Sequence, residues 1–261
     1  MALDKIIERI TTSDLAGLIE YEVREGKNID YKQSLPGNSY DDKKEFLADV
    51  SSFANAAGGH LVFGMKEDAG LPVDLCGLGN IDVDDELLRL ENTIRDNVKP
   101  RIPGISMCAI SLDEASFAVI VHIPRSWTQP HVVDFKGHWR FYSRNSSGKY
   151  PLDVAEVRSS FALSETIMER IIQFRTQRLG KIIAGETPMT LSGPAKIVLH
   201  LIPMGSIETG QQVDFALLPN DADQLAPICC MGWNDRHNFD GYLTYDPNSG
   251  EATTRSYLQV F

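Results

Sequence analysis

The chain has 261 residues, an apolar share of 43% with 8% aromatics, and a formal net charge of -11. That length suits one large or two modest domains, and the composition is that of a globular protein with a core to bury. The charge excludes wrapping of nucleic acid by the whole surface, since Lys and Arg drive phosphate binding, but it leaves room for a local basic strip.

No apolar run approaches the roughly eighteen residues of a membrane span. The start, MALDKIIERI, is amphipathic and charged rather than basic and then apolar, so no signal peptide is read there. A cytoplasmic protein with no membrane partner is the expectation. Cys76, Cys108, Cys229 and Cys230 form no CxxC pair, so reduced thiols are expected rather than a zinc knuckle or disulfide framework.

In chain order, residues 3–10 and 14–23 read as short helices, with Thr12 or Ser13 capping the second. Residues 28–32 alternate as a strand whose Asp30 and Lys32 share one face, with Tyr31 on the other. Residues 41–57 are the clearest helix, since Phe46, Val50, Phe53, Ala54 and Ala57 recur at helical spacing. Gly58-Gly59 ends it, and residues 60–65 follow as a buried strand before a polar turn over 67–70. Residues 83–98 form a second amphipathic helix. Residues 105–111 and 117–123 read as a hairpin, and another strand pair surrounds Phe135-Lys136-Gly137. Residues 153–163 begin a helical stretch, a longer Arg-containing helix covers 165–183, and 195–202 read as an apolar strand.

Three domains follow: 1–163, a connecting helix over 164–185, and a β-rich or α/β region over 186–261. The fold class is α+β, a mixed sheet flanked by helices with a smaller β-rich C-terminal region. The apolar ending SYLQVF predicts a chain cut from a longer protein.

Between Glu25 and Gly70 three elements come in order: E-x-x-x-x-D-Y-K (Glu25, Asp30, Tyr31, Lys32), a helix ending DVSSFANAAGG, and LVFGM leading into Lys66-Glu67-Asp68-Ala69-Gly70. This resembles the Schlafen-like AlbA-type domain, whose pattern is E-x-x-x-x-E-F-K, a helix reading AFANT-GG, then L-x-x-G and an acidic turn. Asp30 stands for the more usual Glu, Ala56 for Thr, and Met65 for a β-branched residue. WRFYSRNSSGKYPLDVAEV (139–157) resembles the family's closing element, so the likeness covers roughly 14–160.

The resemblance implies a divalent-metal-dependent endoribonuclease acting on structured RNA such as tRNA, with DNA as a second polymer and a stress or anti-phage setting. It implies that Glu25, Asp30 and Asp68 are the catalytic and metal-binding acids for Mn²⁺ or Mg²⁺, with Glu67 a rival to Asp68. Carboxylate oxygens are what hard cations prefer. Lys32, Arg140, Arg144 and Lys149 are the candidate phosphate contacts. They belong to a basic group with Arg125, Lys136 and His138, interleaved with Trp127, Trp139, Phe141 and Tyr142.

The rival reading is a non-catalytic nucleic-acid-binding or regulatory module of a larger protein. Acids that converge favour catalysis, and acids that are scattered or salt-bridged favour binding. A third class is an assembly protein that forms homo-oligomers through 186–261. No HExxH or GxSxG occurs. The P-loop also fails, because Ser143 holds its first-glycine position and Tyr150 its final hydroxyl position.

Overall fold

The first element among the described residues is a 3-10 turn, Ile7–Arg9, where a helix over 3–10 was expected. Leu3, Ile7 and Ile10 are nevertheless buried, so the apolar spacing was spent on packing rather than on helix length. Helix α1 (Thr12–Glu20) follows. Its cap is Thr11, one residue earlier than expected: the Asp14 carboxylate accepts from the Thr11 N–H and hydroxyl, both at 2.9 Å.

This is a computed structural model. It describes residues 3, 5–79, 82–113, 116–191, 195–203, 206, 214–216, 218–228, 230, 232–246 and 253–261. The chain divides into two compact units, Met1–Ser164 and Glu165–Phe261.

In the first unit β1 (Ile29–Lys32) leads through α2 (Tyr40–Ala54) to β2 (Gly58–Phe63), which lies parallel to β1 with Asp30 opposite Leu61. Ser39 caps α2 by accepting the Asp42 N–H at 3.1 Å. The expected turn over 67–70 is the tip of a small hairpin, β3 (Lys66–Asp68) with β4 (Leu71–Asp74). β5 (Leu78–Gly79), α3 (Val83–Asn97), β6 (Val98–Lys99), β7 (Ser106–Ser111) and β8 (Ser116–Pro124) come next. β8 pairs antiparallel with β2, β5 and β7, which completes a mixed five-stranded sheet.

β9 (Val132–Phe135), β10 (His138–Asn145) and β11 (Gly148–Pro151) join β6 in a second, four-stranded sheet, in the order β11-β10-β9-β6. The β9–β10 turn is Lys136-Gly137, both at positive φ (46° and 84°), as a tight two-residue hairpin needs.

Strand alternation sorts the larger sheet's side chains into two cores. Leu61, Phe63, Val119, Val121 and Ile123 face α2, α3 and the second sheet, whose Val133, Phe135 and Tyr142 join them. Val62, Ala118 and Ile120 face the opposite way, with Leu15 and Leu18 of α1 and the N-terminal Leu3, Ile7 and Ile10. Full burial of each such aliphatic side chain contributes roughly 1.5–3 kcal/mol.

The expected helices over 153–163 and 165–183 are one, α4 (Val154–Ala184). No Pro interrupts the run, and Gly185 at φ 74° closes it with its N–H on the Ile182 carbonyl. In the second unit β13 (Asn234–Asn238), β14 (Gly241–Tyr245) and β16 (Tyr257–Val260) form an antiparallel sheet, and β12 (Thr190–Leu191) pairs with β15 (Thr253–Thr254). The strand expected over 195–202 is not formed, and Ile197 and Leu201 are 99% and 82% exposed. An apolar run becomes a strand only where a neighbour takes its backbone groups. Among the described residues no helix is long and apolar enough to cross a membrane.

Candidate functional site

β1 is an edge strand, and its pleat sends Tyr31 into the core below α1 while Asp30 and Lys32 turn the other way. The Tyr31 hydroxyl donates to the Val23 carbonyl at 2.7 Å. Asp30 is gripped at both oxygens. Lys32 Nζ stands 2.9 Å from Oδ1, and Arg144 Nη2 on β10 stands 2.9 Å from Oδ2. Arg144 has only 2% of its side chain exposed, and its guanidinium carbon lies 3.8 Å from the centre of the Phe53 ring. Its Nε and Nη1 are buried without a partner.

The ion pairs continue onto α2. Asp49 Oδ1 takes Lys149 Nζ of β11 at 2.8 Å, Asp49 Oδ2 is 4.0 Å from Lys32 Nζ, and Lys149 also meets Glu45. The result is a chain of alternating sign: Arg144, Asp30, Lys32, Asp49, Lys149, Glu45. It ties the edge of one sheet to α2 and to the second sheet. Burial alone would raise the Asp30 carboxyl, but Lys32 and Arg144 outweigh it and hold it below its ordinary value.

Glu25 sits just before β1. Its Oε1 accepts the Tyr31 backbone N–H at 2.7 Å, and its own N–H donates to the Gly70 carbonyl at 2.7 Å. Burial pushes its carboxyl from the ordinary 4.5 to about 7, with the neighbouring Asp30 adding to the rise and the Tyr31 N–H opposing it. The β3–β4 tip is therefore fastened beside Glu25, and Arg24 Nη1 donates to the Ala69 carbonyl at 3.1 Å. Asp68 itself is exposed on β3, and the Glu67 carboxylate accepts the Gly70 N–H at 2.6 Å.

The structure thus brings Glu25, Asp30, Lys32, Arg144 and Lys149 into one neighbourhood and leaves the Asp68 side chain outside that network of ion pairs. Among the described residues no group of three His, Cys, Asp or Glu side chains is placed to hold a metal ion. Since Asp30 is engaged by a cation at each oxygen, this donor set does not fit a divalent cation as arranged. Lys32, Lys149 and Arg144 are spent on carboxylates, and Arg144 is too buried to meet a phosphate.

Arg140 behaves differently. It is exposed on β10, on the strand face opposite its sequence neighbour Trp139, which is 63% exposed. Phe141 braces Trp139 edge-on at 5.3 Å, and Phe161 braces Phe141 at 6.3 Å. On the face that Arg140 shares, His138 Nε2 lies 2.8 Å from the Tyr142 hydroxyl.

Two residues central to this region were not picked out as site residues in the sequence. Asp49 had a signal, an acid in the middle of the buried α2 stripe of Phe46, Val50 and Phe53. Asn55 lies at the C-terminal end of α2, where a side-chain amide ordinarily bonds nearby backbone. Instead it clamps distant strands, donating to the His131 and Tyr142 carbonyls at 2.9 and 2.8 Å and accepting the His131 N–H at 2.7 Å.

Residues 25–153 match the family model described as Schlafen, AlbA_2. No curated protein matches the chain. Among solved structures it is similar to the DIP2311 protein from Corynebacterium diphtheriae, at 15% identity and a TM-score of 0.34 over 50% of this chain. The match spans 26% of that protein's length, and at this level of likeness it carries no argument. The family model coincides with the elements that build the ion-pair network, from Glu25 through β1, α2, β10 and β11, and this match of residues 25–153 to the Schlafen, AlbA_2 model supports a nucleic-acid-related role.

Proposed function

We propose that this domain is a nucleic-acid-binding module that takes single-stranded or looped RNA on the β9–β10 hairpin, with its acidic network holding sheets together. The observation that carries this reading is Trp139, 63% exposed yet braced by Phe141, with Lys136 at the hairpin tip and Arg140 exposed on the opposite face of the strand. An indole held rigid in solvent is a surface on which a base stacks at little entropic cost, worth roughly 1–3 kcal/mol per base. Arg140 and Lys136 supply the cations that a strand's phosphates require. Fluorescence anisotropy with labelled single-stranded RNA and DNA tests it. Trp139→Ala is expected to weaken binding by at least about fivefold, the low end of that stacking range. Unchanged affinity would remove the hairpin as the interface.

Glu25 favours a second reading, an endoribonuclease active on tRNA-like substrates with a role in stress or anti-phage defence. A half-buried carboxyl held at about 7 is suited to accept a proton near neutrality. The test is cleavage of end-labelled tRNA with Mn²⁺, Mg²⁺ or EDTA, beside Asp30→Ala and Asp68→Ala. Metal-dependent cutting that both substitutions abolish establishes the nuclease and the acidic trio. Binding without cutting leaves the module.

A further inference from the structure

Away from the acidic network, two histidines meet in the middle of the five-stranded sheet. His60 on β2 lies directly opposite His122 on β8 in the antiparallel register. Ile29 of β1 flanks His60, and Ser106 of β7 flanks His122, so the pair sits in a row across four strands. The rings are 4.7 Å apart between centroids and tilted by 38°. His122 Nδ1 and His60 Nε2 are 3.1 Å apart, and both residues are half-buried rather than sealed.

From this arrangement the geometry points to a two-histidine site for a borderline divalent transition metal, Zn²⁺, Ni²⁺ or Cu²⁺, at His122 Nδ1 and His60 Nε2. At metal–nitrogen distances of about 2.0–2.1 Å, two ligands of a tetrahedral centre stand about 3.3–3.4 Å apart. The two nitrogens, 3.1 Å apart, are within about 0.3 Å of that spacing, and the rings must also turn so that both lone pairs leave the line between them and meet at the ion. The proton that lies between them in the metal-free pair must leave, to the other nitrogen of its own ring or to water, before both inner lone pairs can bind the ion.

Imidazole selects this class of metal, whereas Mg²⁺, Mn²⁺ and Ca²⁺ prefer oxygen donors. The frame is preorganised, because β2 and β8 are interior strands with neighbours on both sides. Two protein ligands leave the remaining positions to water, which makes the site exchangeable and of micromolar rather than structural-zinc affinity. The net charge of -11 raises the local concentration of cations around the chain.

The experiment uses the full chain without an affinity tag. Zn²⁺ and Ni²⁺ are titrated by isothermal calorimetry, and histidine ring nitrogens are followed by long-range ¹H–¹⁵N spectra. One ion per chain at micromolar concentration is expected, with the His60 and His122 ring signals moving first and Mg²⁺ leaving them in place. His60→Gln and His122→Gln are each expected to weaken binding at least tenfold and to abolish the rise in Tm that Zn²⁺ gives the parent chain. His138→Gln is expected to change neither. Binding that survives both substitutions overturns the site, as does the absence of binding below millimolar metal. Should a variant fail to fold, the parent spectra decide, because unmoved His60 and His122 signals at saturation also overturn it.

Discussion

Glu25 is the residue whose chemistry most exceeds its position in a sequence pattern. It holds the amide of an edge strand through Oε1 while its carboxyl sits near neutrality. The raised value means that the folded chain keeps a proton which the unfolded chain releases near 4.5. Stability from this group is therefore full at the acid end and is lost as pH rises from about 4.5 through about 7. Asp30 acts in the opposite sense and in a lower window: its depressed carboxyl contributes above the unfolded value of 3.8 and fails only as pH falls below it. Urea midpoints between pH 5 and pH 8 isolate Glu25. The parent chain is expected to lose stability across that interval, and Glu25→Gln, which keeps an oxygen for the Tyr31 N–H, is expected to lose less. Parallel profiles for the two chains would show that Glu25 is ionised throughout.

At the scale of elements, the junction from α2 to β2 decides whether β1, α2 and β2 assemble at all. Gly58 takes φ 74°, and a Cβ there would stand 2.5 Å from the Arg125 N and 2.9 Å from the Ile123 carbonyl. At Gly59 a Cβ would strike the Asn28 carbonyl and come within 2.5 Å of the Phe53 ring. That carbonyl accepts the His60 N–H that begins the parallel pairing of β1 and β2, so it has nowhere to go. Gly59→Ala is expected to cost at least the roughly 1–3 kcal/mol of an overpacked core. Gly137→Ala, at φ 84° with nothing within 4 Å, is expected to cost only about 1 kcal/mol of backbone strain. Comparable losses in chemical denaturation would mean that space around Gly59 is not the constraint.

This junction was readable in the sequence because its cause is local: a helical stripe, two glycines, then a β run. So was the shared face of Asp30 and Lys32, which follows from the strand period alone. The partners across the fold were not readable. Nothing in the spacing says that Arg144, more than a hundred positions on, would bury itself against Asp30, or that Asn55 would bridge β9 and β10. Both contacts depend on how a second sheet docks on α2, and no local periodicity encodes that. The strand expected over 195–202 failed for the converse reason, since among the described residues no strand pairs with it.

For the whole molecule, a net charge of -11 constrains how nucleic acid can be held. An acidic surface repels phosphate except at a local strip, and the ion pairs of Lys32, Lys149 and Arg144 remove three cations from that strip. Exposed Lys136 at the tip and Arg140 on the face opposite Trp139 remain on the hairpin. Two phosphate contacts on a single strand give a slope of log affinity against log salt of about -1.4, at about 0.7 per contact. Affinity is then expected to rest more on stacking than on counterion release, so single strands should be preferred to duplex, whose bases are already stacked. Anisotropy titrations at several salt concentrations separate the contributions. Arg140→Ala is expected to flatten the slope by about 0.7, whereas Trp139→Ala is expected to lower affinity at every salt concentration and leave the slope unchanged. A slope several times steeper, insensitive to Arg140, would place the phosphates on a different surface and take the hairpin out of the interface.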